Sequence, residues 1–176
     1  NNPMGACPDC DGIGHIEFFD PKRIVQHPEL PLSAGALKGW DRRNPMLFQM
    51  LQSLATHYGF DLDTPYQDLP ENIKHILIFG SGQEEIPFIT LNRQGMPWIR
   101  EHPFEGVLHN LERRFRESES MSVKEDLAKL ISERPCPTCG GARLRKEALS
   151  VRIGEGTQQR SIHEITRMSL SDALSY

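Results

Sequence analysis

No stretch of the 176-residue sequence approaches the ~20 consecutive apolar residues that a bilayer-spanning helix requires, so no membrane contact is expected. No basic, apolar and small-residue leader precedes the first motif, and a soluble, cytoplasmic chain is expected. A strong charge excess is missing as well. With a formal net charge of −4, any contact with a polyanion must come from local clusters rather than from composition. Repeats with a period of about 20 to 50 residues are absent, which removes solenoids and propellers. Scattered cysteines are absent too, because all four fall into two pairs, Cys7-Pro8-Asp9-Cys10 and Cys136-Pro137-Thr138-Cys139. In a sequence without a secretory signal such pairs favour metal over structural disulfides. The sequence opens at Asn1 and stops at Tyr176 within SLSDALSY, which reads as the start of an amphipathic helix. That is the expectation for a piece of a longer chain.

The periodicity between the cysteine pairs predicts an α+β fold. Asn44 and Pro45 form a helix entry and Gly59 an exit. Between them Leu47, Met50, Leu51, Leu54, Ala55 and Tyr58 share one helical face, so a helix is expected over about 45–58, with Met46 and Met50 in or near the core. A second helix is expected over about 70–79 with Asp68 as its cap. Two β-prone stretches, 85–91 and 96–101, flank Asn92-Arg93-Gln94-Gly95 and predict a hairpin. Phe104, Leu108, Leu111 and Phe115 mark a third helix. Ser122 and Glu125 suggest a capping box opening a fourth through Leu127, Leu130 and Ile131, stopped by Pro135. Leu149, Val151 and Ile153 alternate as a strand would.

Each cysteine pair sits in a glycine-rich knuckle, with Gly12 and Gly14 after the first and Gly140 and Gly141 after the second. Two residues between thiolates allow a tight turn to aim both sulfurs at one ion, and two knuckles complete a closed tetrahedral zinc shell. The expected ligands are Cys7, Cys10, Cys136 and Cys139, in a structural and non-catalytic site. Between Cys10 and Cys136 lie 125 residues. Closing a floppy loop of that length costs on the order of 4 kcal/mol, so a folded domain with adjacent ends is expected there. Three other readings of the cysteines stand beside this one. They are a thioredoxin-like redox pair, two separate zinc sites with His15 as a further ligand, and a chaperone zinc domain of the DnaJ type.

The string from Asn2 to Gly14, NPMGACPDCDGIG, resembles the N-P-x-G-A-C-x-x-C-x-G-x-G signature of the UvrA family. Gly39-Trp40-Asp41, Tyr58-Gly59-Phe60, Phe79-Gly80-Ser81-Gly82, Pro103-Phe104-Glu105-Gly106-Val107, Glu112-Arg113-Arg114-Phe115 and the run from Cys136 to Leu144 resemble the same family, in order. The resemblance implies an ABC-type ATPase that dimerises, surveys DNA for distortion in bacterial nucleotide excision repair, and passes damaged sites to UvrB. It further implies a first knuckle and stem over 1–24, an insertion domain over 25–133, and a second knuckle over 134–176 that begins the returning signature-domain segment. ATP loops and the UvrB-docking module would lie outside these residues. The sequence agrees. Gly80-Ser81-Gly82 lacks the Gly-Lys-Ser/Thr of a phosphate loop, and His163-Glu164 lacks a second zincin histidine because Arg167 stands in its place.

Three basic clusters are candidates for weak contact with double-stranded DNA. Lys38, Trp40, Arg42 and Arg43 combine cations with an aromatic that could pack or stack. Arg113, Arg114 and Arg116 share a predicted helix. Arg143 and Arg145 lie with Arg134 and Lys146 in an acid-free run, where they either offset the thiolate charge or bind phosphate. The expected function is a zinc-clamped DNA-interaction module of a UvrA-type ATPase, without catalytic groups of its own. A zinc-stabilised protein-interaction module is the alternative.

Overall fold

In the computed structural model, which describes residues 3–91, 97–156 and 159–176, the chain divides into two units. One, the central unit, is Phe19–Ile131; the other, the terminal unit, combines Asn1–Phe18 with Ser132–Tyr176. The two passages between them, β1 (His15–Phe19) and β4 (Ile131–Pro135), pair as a two-stranded sheet. No local signal in the sequence announces this sheet. Both strands are short, and a pairing partner more than 100 residues away leaves no local signal.

In the central unit a short helix α1 (Pro21–Ile24) leads to α2 (Pro45–Tyr58), whose bounds follow the local chemistry. The Asn44 side chain accepts a bond from the Leu47 N–H, Pro45 takes the first helical position, and Gly59 ends the helix in the left-handed region. Leu47, Leu51 and Leu54 are buried along one stripe, while Met50 packs partly against the same core. Met46 departs from expectation at 70% exposure, because it sits one position off that stripe. Helix α3 (Glu71–Phe79) also needs a correction. Asp68 belongs to a separate 3-10 turn, and Pro70, extended at ψ 144°, precedes the helix without a side-chain cap.

Strands β2 (Glu85–Leu91) and β3 (Pro97–Pro103) pair antiparallel, with Ile86 opposite His102 and Phe88 opposite Arg100. The expected turn at 92–95, with Met96, lies outside the described residues. Ile86 and Phe88 face the core, and Phe88 stacks on His102 at 4.5 Å between centroids. Phe104 was expected on the next helix. Instead α4 (Val107–Glu117) starts only after Gly106, and Phe104 packs its ring edge-on against Trp40 at 5.9 Å. Gly106 has φ 85°, and a Cβ there would stand 2.6 Å from both Gly80 N and Ile78 O, so only glycine permits this backbone approach.

Helix α5 (Met121–Ala128) contains Ser122 rather than starting at it, so the Ser122–Glu125 capping box does not form. It ends before Leu130 and does not run on to Pro135, because the chain turns there into β4. The two ends of the central unit meet: Asp20 N–H donates to Leu130 O at 3.0 Å, and Arg23 Nη1 donates to Lys129 O at 3.0 Å.

The terminal unit carries α6 (Lys146–Leu149), the pair β5 (Arg152–Ile153) and β6 (Arg160–Ser161), α7 (Ile162–Thr166) and α8 (Leu170–Ser175). The expected strand through Leu149, Val151 and Ile153 is therefore mostly absent, since Leu149 closes a helical turn on Arg145 O. Among the described residues no helix is long and apolar enough to cross a membrane.

Candidate metal centre and nucleic-acid interface

The knuckles are two tight turns. Ile13 N–H donates to Cys10 O, Gly140 N–H to Cys136 O and Ala142 N–H to Cys139 O, at 2.7–2.9 Å. Further bonds tie the knuckles to each other, from Cys7 N–H to Arg143 O, Cys136 N–H to Gly14 O and Arg145 N–H to Gly5 O. Thr138 Oγ1 also donates to Asp9, and the sequence offered no sign of this link across 129 positions. As a result the four sulfurs converge, all within 4.8 Å of one another and all buried.

The donor set fits a tetrahedral ion. Cys7 and Cys136 sulfurs are 3.9 Å apart and those of Cys10 and Cys139 are 3.8 Å apart. Zinc–sulfur bonds of about 2.3 Å place tetrahedral vertices about 3.8 Å apart, whereas a disulfide needs about 2.05 Å. All four cysteines are free. Gly14 N–H donates to Cys10 Sγ at 3.2 Å, a bond that favours the thiolate. Burial pushes the Cys7 thiol up to about 11, while backbone N–H groups of Cys139 and Thr138 bring Cys136 down to about 7. A cation among these sulfurs would stabilise the charged form of each. His15 does not join the cluster; its Nε2 lies 3.5 Å from Glu133.

The basic candidates separate by partner. Arg43 forks onto the buried Asp41 through Nε and Nη2, and this holds the Asp41 carboxyl below its usual range. Lys38 lies 3.6 Å from Asp126, and Arg42 lies 3.4 Å from Asp63 with its guanidinium over Phe48. Arg113 bonds Glu105 at 2.8 Å and lies 3.4 Å from Glu117. Exposed pairs of this kind are weak and exchangeable. Arg114, Arg116, Arg143 and Arg145 form no ion pair with a carboxylate among the described residues.

Trp40 is a correction. It is 0% exposed, so it cannot stack on a base and serves as a core residue against Phe104. Trp40 N–H turns back onto Leu37 O, and the ring is buried together with Asp41 while Arg42 and Arg43 stay exposed. Gly80-Ser81-Gly82 is likewise a plain turn. Ser81 N–H is spent on Phe104 O, and Ser81 Oγ takes the Phe104 N–H and gives to Glu84 O. Glu164 closes a capping box with Ser161 rather than serving a metal. His163 and Arg167, weighed in the sequence only as a broken zincin pattern, both line one cleft.

A family model described as the UvrA DNA-binding domain matches residues 20–129. UvrABC system protein A of Haemophilus influenzae is 58% identical over 154 residues, covering 88% of this chain and 16% of that protein. Its counterpart in Escherichia coli K12 is 51% identical over 176 residues, covering all of this chain and 18% of that protein. The chain thus spans less than a fifth of the length of these curated relatives. The crystal structure of UvrA2 from Deinococcus radiodurans superposes with a TM-score of 0.65 at 26% identity, covering 99% of this chain and 22% of that one.

Proposed function

The chain belongs to the UvrA family, and from that premise we infer that it is a zinc-clamped DNA-interaction module of a UvrA-type ATPase acting in nucleotide excision repair. Residues 25–133 are the inserted domain, and the stretches 1–24 and 134–176 are its zinc-bound stem and the flanking signature-domain segments. Cys7, Cys10, Cys136 and Cys139 hold one zinc ion, which supplies no catalysis and ties the two knuckles together. The observation that carries the reading is the match of the DNA-binding model to the span between two knuckles whose four sulfurs converge.

The module adds phosphate contacts from Lys38, Arg42, Arg43, Arg113, Arg114 and Arg116 to whatever the rest of the protein supplies. ATP hydrolysis, dimerisation and UvrB docking belong to other parts of the parent protein, in the cytoplasm. The test is a salt titration of DNA affinity on the zinc-loaded chain and in the full-length protein, with Arg42 and Arg43, then Arg113 and Arg114, replaced by alanine. Each true phosphate contact removed should lower the log–log salt slope by about 0.9 without changing sequence preference. Unchanged affinity and slope in both full-length double variants would contradict the reading. It would favour a protein-interaction module instead, for which the exposed hairpin side chains Ile89, Trp98 and Ile99 are the supporting observation.

A further inference from the structure

Arg143 is held in an uncommon backbone conformation. Counted from the last cysteine of each knuckle, Gly14 and Arg143 occupy equivalent places, four residues after Cys10 and Cys139, and both have positive φ, 91° and 67°. A side chain disfavours that region, and the first knuckle meets the requirement with glycine. The second meets it with arginine. The backbone task of this residue, accepting the Cys7 N–H at 3.0 Å, needs no side chain and would be served better by glycine. Asp11, at φ 49°, is the other non-glycine residue with positive φ among the described residues, and aspartate tolerates that region better than arginine does; strain retained at Arg143 points to a task for its side chain.

The surroundings indicate the task. A Cβ added to Gly14 would stand 2.8 Å from Arg143 Cγ and 3.4 Å from Nε, so the arginine stem lies where Gly14 has no side chain. Arg143 there lines an open cleft of about 810 Å³ together with Arg134, Arg167, His15 and His163. The carboxylate in the lining, Glu133, is 3.5 Å from His15 Nε2, and none of the three arginines forms an ion pair among the described residues. No Phe, Tyr or Trp is among the described residues that line the cleft, so the indole, phenol and phenyl platforms of single-strand binders are missing there. What the cleft offers is three arginines in one lining, the chemistry of phosphate, with the Arg134 guanidinium also lying over the Phe18 ring at 4.9 Å.

We propose that this cleft is a phosphate-binding site gripped by Arg143, and that it receives a phosphodiester of the DNA backbone outside the span 20–129 matched by the DNA-binding family model. The choice of DNA as the source rests on the function proposed above; the phosphate site itself does not.

The decisive variant is Arg143→Gly in the zinc-loaded chain, because strain relief and ligand loss then move in opposite directions. Melting temperature should stay level or rise, and zinc content should not change. Inorganic pyrophosphate should shift the amide signals of Arg143, Leu144 and His163 in the parent chain and not in the variant. Affinity for a short labelled duplex should fall about tenfold, the scale of one charge-assisted hydrogen bond, with a salt slope smaller by about 0.9. Arg143→Lys should recover part of the loss, and Arg167→Ala should weaken pyrophosphate binding without affecting zinc.

No pyrophosphate response in the parent chain overturns the proposal. So does loss of zinc in Arg143→Gly, which would make the arginine a charge balance for the thiolates. A pyrophosphate response with unchanged duplex affinity keeps the site and assigns it to free polyphosphate. A pyrophosphate response in a chain that binds no duplex upholds the cleft while the DNA-binding function fails. If the Arg42/Arg43 or Arg113/Arg114 variants lose duplex binding, Arg143→Gly keeps it, and pyrophosphate is silent, the cleft fails and the function stands.

Discussion

The two units solve the problem of burial differently. Between Phe19 and Ile131 the chain buries Trp40, Phe88, Phe104 and a set of leucines and isoleucines, with partly buried apolar groups packed around them. The buried cluster of the terminal unit is Cys7, Cys10, Cys136, Cys139 and Ala142, and among the described residues Ile16 and Leu149 are the partly buried apolar groups packed against it. An apolar core is sustained by removal of surface from water. A cluster of four thiols with so little apolar surface lacks that source of stability, and the zinc ion proposed above would supply it. The contrast teaches that one unit is built around an apolar core and the other around four cysteines placed to hold a metal ion.

The largest expected effect breaks the contrast from the metal side. Cys136→Ser removes one ligand of four, and structural zinc sites in small peptides contribute roughly 10 kcal/mol when bound. The variant should lose bound zinc and the ordered signals of the terminal unit while keeping a cooperative thermal transition from the central one. Atomic absorption with calorimetry checks both. Working from the other side, Leu51→Ala removes a fully buried side chain of α2 and should destabilise the central unit by about 2–5 kcal/mol. Zinc affinity should not move. A parallel fall in zinc affinity would show that the two units share one core.

Legibility from the sequence follows the same division. Helix α2 was readable to the residue because its cap, proline, stripe and terminal glycine are all local and agree. The convergence of the four cysteines was readable because knuckle spacing is itself the chemistry. What failed was non-local or competing. Strands β1 and β4 find each other across the whole central unit, Asp68 lost its cap role to a 3-10 turn, and Ser122 lay inside α5. Trp40 was misread because charged neighbours suggested a surface, whereas a single backbone turn reverses its direction. The cleft beside the second knuckle joins Arg134, Arg143 and Arg167, and the last of these had only been noted for the histidine it replaced.

Smaller effects sharpen the comparison within the central unit. Asp41 is buried and its carboxyl is held below the ordinary value by the Arg43 side chain, then by the Arg43 N–H. Because the folded value is depressed, this contribution is fully present above about pH 4 and is lost as pH falls through the folded value. Asp41→Asn should therefore lower the melting temperature at neutral pH, and the gap to the parent chain should narrow on acidification below pH 4. A gap independent of pH would assign the loss to packing alone. Smallest of all, Asn44→Ala removes the side-chain cap of α2 and should cost about 1 kcal/mol, read by denaturant unfolding with an unchanged m-value.

The central claim is tested most directly by amide hydrogen exchange on the chain before and after zinc is removed by a chelator under reducing conditions. The account predicts that 136–149 will lose protection and exchange at the rate of an unfolded segment, while 45–58 and 107–117 keep theirs. Simultaneous loss in all three segments, or retention in all three, would contradict it.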